Sequence, residues 1–353
     1  MPDTQKKQLV YFESWVDPCA LDILGERADI QVNQLRYGGP AESNWEHMRA
    51  AMGYQSSSRV ELREPWFADA ALLERCPRLL AVCSTGAGYD MIDVDACTAA
   101  GVIVCNQGGS NRNAVAEHAI GLMLSVSKKI GAADRAMRSQ PDVERFFYTG
   151  NDLQGKTVGL IGIGQIGSRT AELCNAFGMT VLAYDPFLDS QQVSARGARQ
   201  VDLGDLLRVA DFVSVHCPRT EATFDMFGAK EFALMKNTAC FINTARGGIH
   251  NEAALYEALR EQRIAGAGLD VFLDEPPPPD HPLLSLANVV ATPHIAGISF
   301  EALHNMASYA AHQWIDIFDG RIPPRIMNPE AWPRYSERFR EILGFAPQEL
   351  VAN

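Results

Sequence analysis

The sequence predicts an α/β protein of two doubly wound units, each a parallel sheet covered by helices on both faces. Three observations carry this. Short apolar runs alternate with helical spacing along most of the 353 residues, the pattern of parallel strands buried on both sides. A glycine-spaced turn from strand to helix, at Gly162, Gly164 and Gly167, falls near the middle of the chain rather than near its start. The length itself points to two domains, at roughly 150 residues each.

In chain order, the runs at 9–12, 30–34, 79–83 and 102–105 read as strands of the first unit. Asp17 and Pro18 read as a helix N-cap with proline at the first helical position. Residues 114–137 keep helical spacing, broken only by Gly121 and Gly131, and read as one or two bridging helices. The glycine turn marks the first strand of a second sheet, whose strands are expected at 158–161, 181–184, 212–216, 240–243, 266–270 and 289–291. Helices are expected between them, for example at 168–177 and 252–263. A long helix at 299–318, ending at Asp319 and Gly320, has its simplest place back against the first unit. The expected domains are therefore 1–112 with 299–335, and 113–298. From Trp332 onward the chain is polar and charged, so it reads as a surface wrap, with 336–353 as a tail outside both domains.

Composition narrows the function classes. Hydrophobic residues make up 47%, enough for sizeable cores, and the net charge of −12 comes without a Lys/Arg stripe, against nucleic acid as a partner. The start carries only a short apolar run before Glu13, which reads as no signal peptide. The longest apolar stretch, 119–126, is far short of the roughly 20 residues that span a membrane. Eight scattered cysteines form no C-x-x-C pair, and most sit in apolar segments. They read as small buried hydrophobes of a reducing compartment rather than disulfides or metal ligands. A cytoplasmic protein with no membrane partner and no metal is expected.

The glycine turn has a specific chemistry. Gly162 permits the tight turn, Gly164 lets backbone approach a pyrophosphate, and Gly167 lets helix pack closely on strand. The phosphates would rest on the free N–H groups of the helix that starts near Gln165 and Ile166. Asp185 ends the next strand, 18 residues after Gly167, where a carboxylate meets the adenosine ribose hydroxyls. That carboxylate repels a 2′-phosphate, and the next basic residue is Arg196, so NAD is expected over NADP. Asp185 before Pro186 could equally start a turn.

Three polar side chains stand at the carboxyl ends of predicted strands or just beyond, the edge where open α/β sheets bind ligands. They are Arg246, Glu275 and His294. In their setting of Arg246-Gly247-Gly248, Leu269-Asp270-Val271-Phe272 with Glu275-Pro276, and Thr292-Pro293-His294-Ile295, the chain resembles the D-isomer-specific 2-hydroxyacid dehydrogenase family. Thr85 to Asp90 resembles that family's substrate-binding turn, and Asn113 to His118 the start of its interdomain helix. The resemblance spans about residues 75–325. It implies a Rossmann-type dinucleotide domain inserted into a flavodoxin-like substrate domain, and a homodimer joined through the dinucleotide domains. It also places Asp270 beside the nicotinamide, although Asp270 could simply end a strand. Thr244, Ala245 and Gly297 go with the cofactor by the same resemblance. So does the His216, Pro218 and Thr220 loop, in which Arg219 replaces the usual leucine.

The residues suit the implied reaction. Reducing a 2-keto acid takes a hydride to the carbonyl carbon, a proton to its oxygen, and an anchor for the carboxylate. His294 can supply the proton, and Glu275 would hold the imidazole in one tautomer and favour its charged form. Arg246 offers a forked guanidinium to the carboxylate and carbonyl oxygen. Backbone N–H groups of Gly86, Ala87 and Gly88 could bind the other carboxylate oxygen as a small nest. His118 reads as a capping or packing histidine, and Ser56 to Ser58 as a substrate-side loop or a plain turn. Arg59, Arg63 and Arg112 could each serve a second anionic group or none. Residues 106–111 lack the proline often found there, and 53–70 match no family pattern, so the substrate's side chain stays open. Two alternatives stand beside this reading. One is a formate- or phosphite-type dehydrogenase, suggested by Val115 to His118 but opposed by Glu275, where formate enzymes carry glutamine. The other is an NAD(H)-sensing corepressor-like binding protein.

Overall fold

The computed structural model describes residues 6–57 and 61–350. It divides into two compact units, Met1–Asn111 with Ser299–Asn353, and Arg112–Ile298. The first unit opens with β1 (Lys7–Phe12), α1 (Cys19–Gly25), β2 (Ile30–Leu35), α2 (Ala41–Ala50) and β3 (Gly53–Ser56). It continues with α3 (Ala70–Arg75), β4 (Ala81–Ser84), α4 (Val94–Ala100) and β5 (Ile103–Cys105). Its five strands are parallel in the order β2-β1-β3-β4-β5, the flavodoxin-like winding.

Strand β3 was not expected, because Gly53-Tyr54-Gln55-Ser56 is no apolar run. All four residues are buried between β1 and β4, and the reason lies far along the chain. A Cβ on Gly53 would stand 2.5 Å from the Trp314 ring, and the Trp314 indole N–H donates to Gln55 Oε1 at 2.7 Å. The strand is shaped to fit one tryptophan.

The second unit opens with α5 (Arg112–Ser127) and α6 (Ile130–Ser139), two helices separated at Lys129, whose backbone is left-handed. Then come β6 (Thr157–Ile161), α7 (Gln165–Ala176), β7 (Thr180–Tyr184), α8 (Ser190–Ala195), β8 (Arg199–Gln200), α9 (Leu203–Val209) and β9 (Phe212–Val215). They are followed by α10 (Ala229–Leu234), β10 (Cys240–Asn243), α11 (Glu252–Arg260), β11 (Gly266–Leu269) and β12 (Val289–Ala291). All seven strands are parallel, ordered β12-β11-β10-β9-β6-β7-β8. The expected strands are all present, and the two-residue edge strand β8 is additional. The order of winding, not the strand direction, reverses between β6 and β9, which pair through Val158 and Phe212, so the glycine loop after β6 sits at the switch point where such sheets bind ligands.

The chain returns to the first unit with α12 (Phe300–Phe318) and α13 (Trp332–Leu343). Here the sequence reading needs correction. Residues 332–343 are no surface wrap, and the described part of the expected tail, 336–350, belongs to the first unit. Trp332, Tyr335 and Phe339 recur at one-turn spacing and are buried in a core shared with Leu9, Ala311, Trp314 and Phe318. The charged residues that suggested a tail form the helix's other face, and Arg338 reaches back to donate to the Leu79 carbonyl at 2.7 Å. The eight cysteines are free thiols, six of them buried. Among the described residues no helix is long and apolar enough to cross a membrane.

Candidate functional site

The glycine loop is shaped by close approach. Gly162 has φ +86°, and a Cβ on Gly167 would stand 2.4 Å from the Gly162 carbonyl oxygen. Helix α7 starts at Gln165 with Gly164 before it and no side-chain cap, so its first N–H groups (Gln165, Ile166 and Gly167) are available to a ligand. Around Gly164 a Cβ would meet nothing within 4 Å, leaving a cradle open at the phosphate position. Asp185 is both a turn former and a loop brace. One oxygen accepts the Phe187 N–H at 3.0 Å, the other the Ile163 N–H at 3.1 Å. Arg196, which the sequence set apart from this loop, folds back and donates to the Ile163 carbonyl at 2.7 Å.

Two further polar groups fit a bound dinucleotide. The Thr244 hydroxyl and His216 Nδ1 are buried with no protein partner. His216 Nε2 pairs with the Ser214 hydroxyl at 2.9 Å, and burial pushes the imidazole down to about 4, so it is neutral near pH 7. Pro218 and Thr220 belong to a turn closed by Thr223, whose hydroxyl donates to the Pro218 carbonyl at 2.7 Å. Arg219 leaves that turn to donate to the Gly247 carbonyl at 3.3 Å.

The residues expected to do chemistry come together. His294 Nδ1 is 2.7 Å from Glu275 Oε2, with the imidazole 37% and the carboxylate 21% exposed. The acid–base group is thus open and its partner sheltered. The other Glu275 oxygen accepts the Phe272 N–H at 3.0 Å. Burial pushes the Glu275 carboxyl up and is the largest single influence. The hydrogen bond and charge of His294, the Phe272 N–H and the Arg246 charge together outweigh it, and the carboxyl is held below its ordinary value. Arg246 is half-buried, with Nη1 on the Ala245 carbonyl at 2.7 Å. Its loop is pinned by Asn243, which donates to the Arg246 carbonyl at 3.0 Å and accepts the Ala245 N–H at 2.9 Å. Gly247 has to be glycine, since a Cβ there would stand 1.8 Å from the Phe272 carbonyl oxygen.

Asp270 lies at the base of the His294 loop. Its side chain is fully buried, and one oxygen accepts the Thr292 hydroxyl at 2.6 Å and the Ile295 N–H at 2.9 Å. The other accepts the Ala296 N–H at 2.8 Å, and the Asp270 carbonyl accepts the His294 N–H at 2.8 Å. His294 itself is held with φ +55°, a left-handed backbone unusual for a residue with a side chain. Because the Thr292 proton goes to Asp270, its oxygen accepts at the 2.9 Å contact with His118 Nε2, so that nitrogen carries a proton. His118 therefore reaches the His294 loop through Thr292, a connection the sequence did not disclose. The bracing role of Asn243 was likewise missed, and Arg219 was noted only as a replacement for leucine. The family spacing marked their loops but gave no sign of side chains turned back onto backbone. Gly297 follows Ala296 in the same loop.

The turn at Gly86, Ala87 and Gly88 lies in the first unit. The Gly86 carbonyl accepts from the Ser84 hydroxyl at 2.8 Å and the Gln107 N–H at 2.9 Å. The Ala87 carbonyl accepts from Asn106 Nδ2 at 2.8 Å. With both carbonyls turned inward, trans planarity points the N–H groups of Ala87 and Gly88 outward, as the nest requires. Ser56 is buried as the last residue of β3, and Arg63 lies over the Tyr37 ring at 5.1 Å. Ser58 and Arg59 lie outside the described residues.

Comparison with known proteins agrees with this arrangement. Residues 120–296 match the model of the D-isomer specific 2-hydroxyacid dehydrogenase NAD binding domain. A glyoxylate reductase of Aeropyrum pernix is 35% identical over 331 residues, covering 92% of this chain and 97% of that protein. A D-3-phosphoglycerate dehydrogenase of Archaeoglobus fulgidus is 41% identical over 261 residues, covering 74% of this chain. This chain spans only 49% of that relative's length. Among solved structures, the TT0316 protein of Thermus thermophilus superposes with a TM-score of 0.80 at 31% identity, over 91% of this chain and all of that one. The match of half the chain to the family model, joined to a relative aligned over nearly its whole length, shows that this chain belongs to the D-isomer-specific 2-hydroxyacid dehydrogenase family of NAD-dependent oxidoreductases.

Proposed function

We propose that the protein reduces a small 2-keto acid to the D-2-hydroxy acid with NADH. The observation that carries this is the 2.7 Å His294–Glu275 pair, on the same sheet edge as Arg246 and the uncapped start of α7. A dinucleotide held there would supply the hydride for the carbonyl carbon. His294 donates the proton to the carbonyl oxygen, and Glu275 balances the imidazolium charge before transfer. Arg246 anchors the carboxylate and stabilises the negative charge that develops on the oxygen. Keto acid, hydride and proton together give the hydroxy acid.

In this reading the second unit holds the dinucleotide through Gly162, Gly164, Gln165, Ile166, Gly167 and Asp185, with Thr244 and the His216–Thr220 loop. Within the first unit, the Gly86–Gly88 turn is the candidate nest for a carboxylate oxygen. The protein works as a homodimer, for which the second unit carries a fitting surface. Ile130, Met137, Phe146 and Phe147 are large, apolar and exposed, a pattern that marks interfaces. The free thiols agree with a cytoplasmic setting.

The test is NADH oxidation against a panel of 2-keto acids, with NADPH in parallel and Arg246→Ala as control. Turnover should prefer NADH and select one or a few acids, and kcat/KM should fall by at least about 100-fold in the variant. A flat panel, or full activity in Arg246→Ala, would defeat the assignment.

A further inference from the structure

A second cluster of chemically capable side chains lies in the first unit. Asp17 stands two residues before α1, Cys19 opens it, and His304 stands one turn into α12, the helix against which α1 packs. One ligand atom from each of the three lies within 4.8 Å of the other two. His304 Nδ1 is 3.5 Å from Asp17 Oδ1. The Asp17 carboxylate is fixed by the Cys19 backbone N–H at 2.9 Å, and the Cys19 sulfur lies 3.7 Å from the His304 carbonyl oxygen. All three side chains are thus drawn to one point between the two helices.

The donor set decides the chemistry. A thiolate, an imidazole and a carboxylate form the borderline-soft set that suits zinc and its d-block neighbours. Four ligands at bond lengths of about 2.0–2.3 Å would lie roughly 3.3–3.8 Å apart in a tetrahedron, which brackets the 3.5 Å His304–Asp17 separation. One thiolate and one carboxylate also neutralise a divalent ion. Glu301, one turn before His304, and Asn305 line the same hollow, leaving a position for a fourth ligand or a water. A simple Asx turn with an ion pair would use Asp17 and His304 but has no need of the cysteine sulfur.

We propose that Asp17, Cys19 and His304 form a site for a zinc-type divalent cation, which clips the start of α1 to α12. On binding, the sulfur–metal bond forms as the thiol proton leaves to solvent. The site is separate from the Arg246, Glu275 and His294 chemistry and does not depend on that assignment.

The test uses the full chain, stripped with a chelator and titrated with Co²⁺ as a spectroscopic probe. One equivalent should produce a thiolate-to-cobalt charge-transfer band and the visible bands of four-coordinate cobalt, both displaced by Zn²⁺. Cys19→Ser should abolish the charge-transfer band. Removing mere supports of metal ligands costs 10–100-fold in affinity, so His304→Gln should cost at least about 100-fold. His312→Gln, an exposed histidine of the same helix whose Nδ1 sits on the Ser308 carbonyl, should bind as the parent does. Equal melting temperatures in chelator would show the variants folded, and Zn²⁺ should raise only those of the parent and His312→Gln. Absence of a thiolate band at saturating Co²⁺, or unchanged binding in Cys19→Ser and His304→Gln, would refute the site.

Discussion

The two units share a construction, a parallel sheet wound on both faces, yet they use their carboxyl edges differently. In the second unit that edge carries Asp185, His216, Arg246, Asp270 and His294, each braced by a named partner within the unit. In the first unit the same edge carries uncharged polar groups, such as Ser84, Thr85 and Gln107, whose side chains brace backbone. Its sheet is instead completed by α12 and α13, which arrive from the far end of the chain. One unit concentrates local motifs, and the other depends on distant packing.

The sharpest way to break this contrast is through α13. Phe339 is fully buried against the core that holds Trp314 and Tyr335, so Phe339→Ala should cost about 3–5 kcal/mol. Chemical denaturation, followed by tryptophan fluorescence from the first unit, should register that loss. A cost below about 0.5 kcal/mol, the range of surface substitutions, would restore residues 336–350 to the role of a peripheral tail.

That contrast also explains what was legible. The glycine turn, Arg246, Glu275 and His294 could be read because each sits at fixed spacing after a strand whose apolar run is evident, and the loop geometry follows from the residues themselves. Strand β3 could not be read, because Gly53 and Gln55 suit a strand only once Trp314 lies against them. Helix α13 was hidden because its buried face is three aromatic residues set among charges. The family resemblance implied a flavodoxin-like unit, but the residues themselves gave four of its five strands and left out β3. His118 was read as a capping or packing histidine, and its bond to the His294 loop stayed hidden for a related reason. Its partner, Thr292, is 174 residues away, and no spacing rule connects them.

Asp270 sharpens the comparison within the second unit, since it could serve the cofactor or the His294 loop. The donors on both its oxygens favour the loop. Asp270→Asn should therefore lower kcat by about 100-fold, or about 2.7 kcal/mol, with little change in the KM for NADH. A raised KM for NADH at unchanged kcat would assign it to the cofactor instead.

A smaller effect is expected at Glu275. Its carboxyl is held below the ordinary value, so it adds stability that is fully present above the unfolded value of about 4.3 and lost as pH falls through the folded one. Parent protein should lose stability relative to Glu275→Gln when acidified below about pH 4. At the other end of the scale, the alkaline limb of keto acid reduction should move to lower pH in Glu275→Gln, because the imidazolium loses the charge that faces it. Rates near neutrality should fall by about tenfold. An unmoved profile would take Glu275 out of the proton chemistry.

The smallest effect tests whether a motif rule survives the tertiary structure. Asp185 was read as a carboxylate that selects NAD, on the ground that no arginine stood close by in sequence. Arg196 nevertheless shares residue Ile163 with it, Asp185 accepting its N–H and Arg196 donating to its carbonyl. Asp185→Ser removes the negative charge and leaves that guanidinium near the ribose end of the loop. The NADPH/NADH ratio of kcat/KM should rise by up to about tenfold, and Arg196→Ala added to Asp185→Ser should cancel the gain. If the double variant keeps the gain, Arg196 is a brace for the glycine loop and nothing more. If Asp185→Ser leaves the ratio unmoved, the carboxylate holds the Ile163 turn without selecting the cofactor, and even the most legible motif of the second unit owes its meaning to packing.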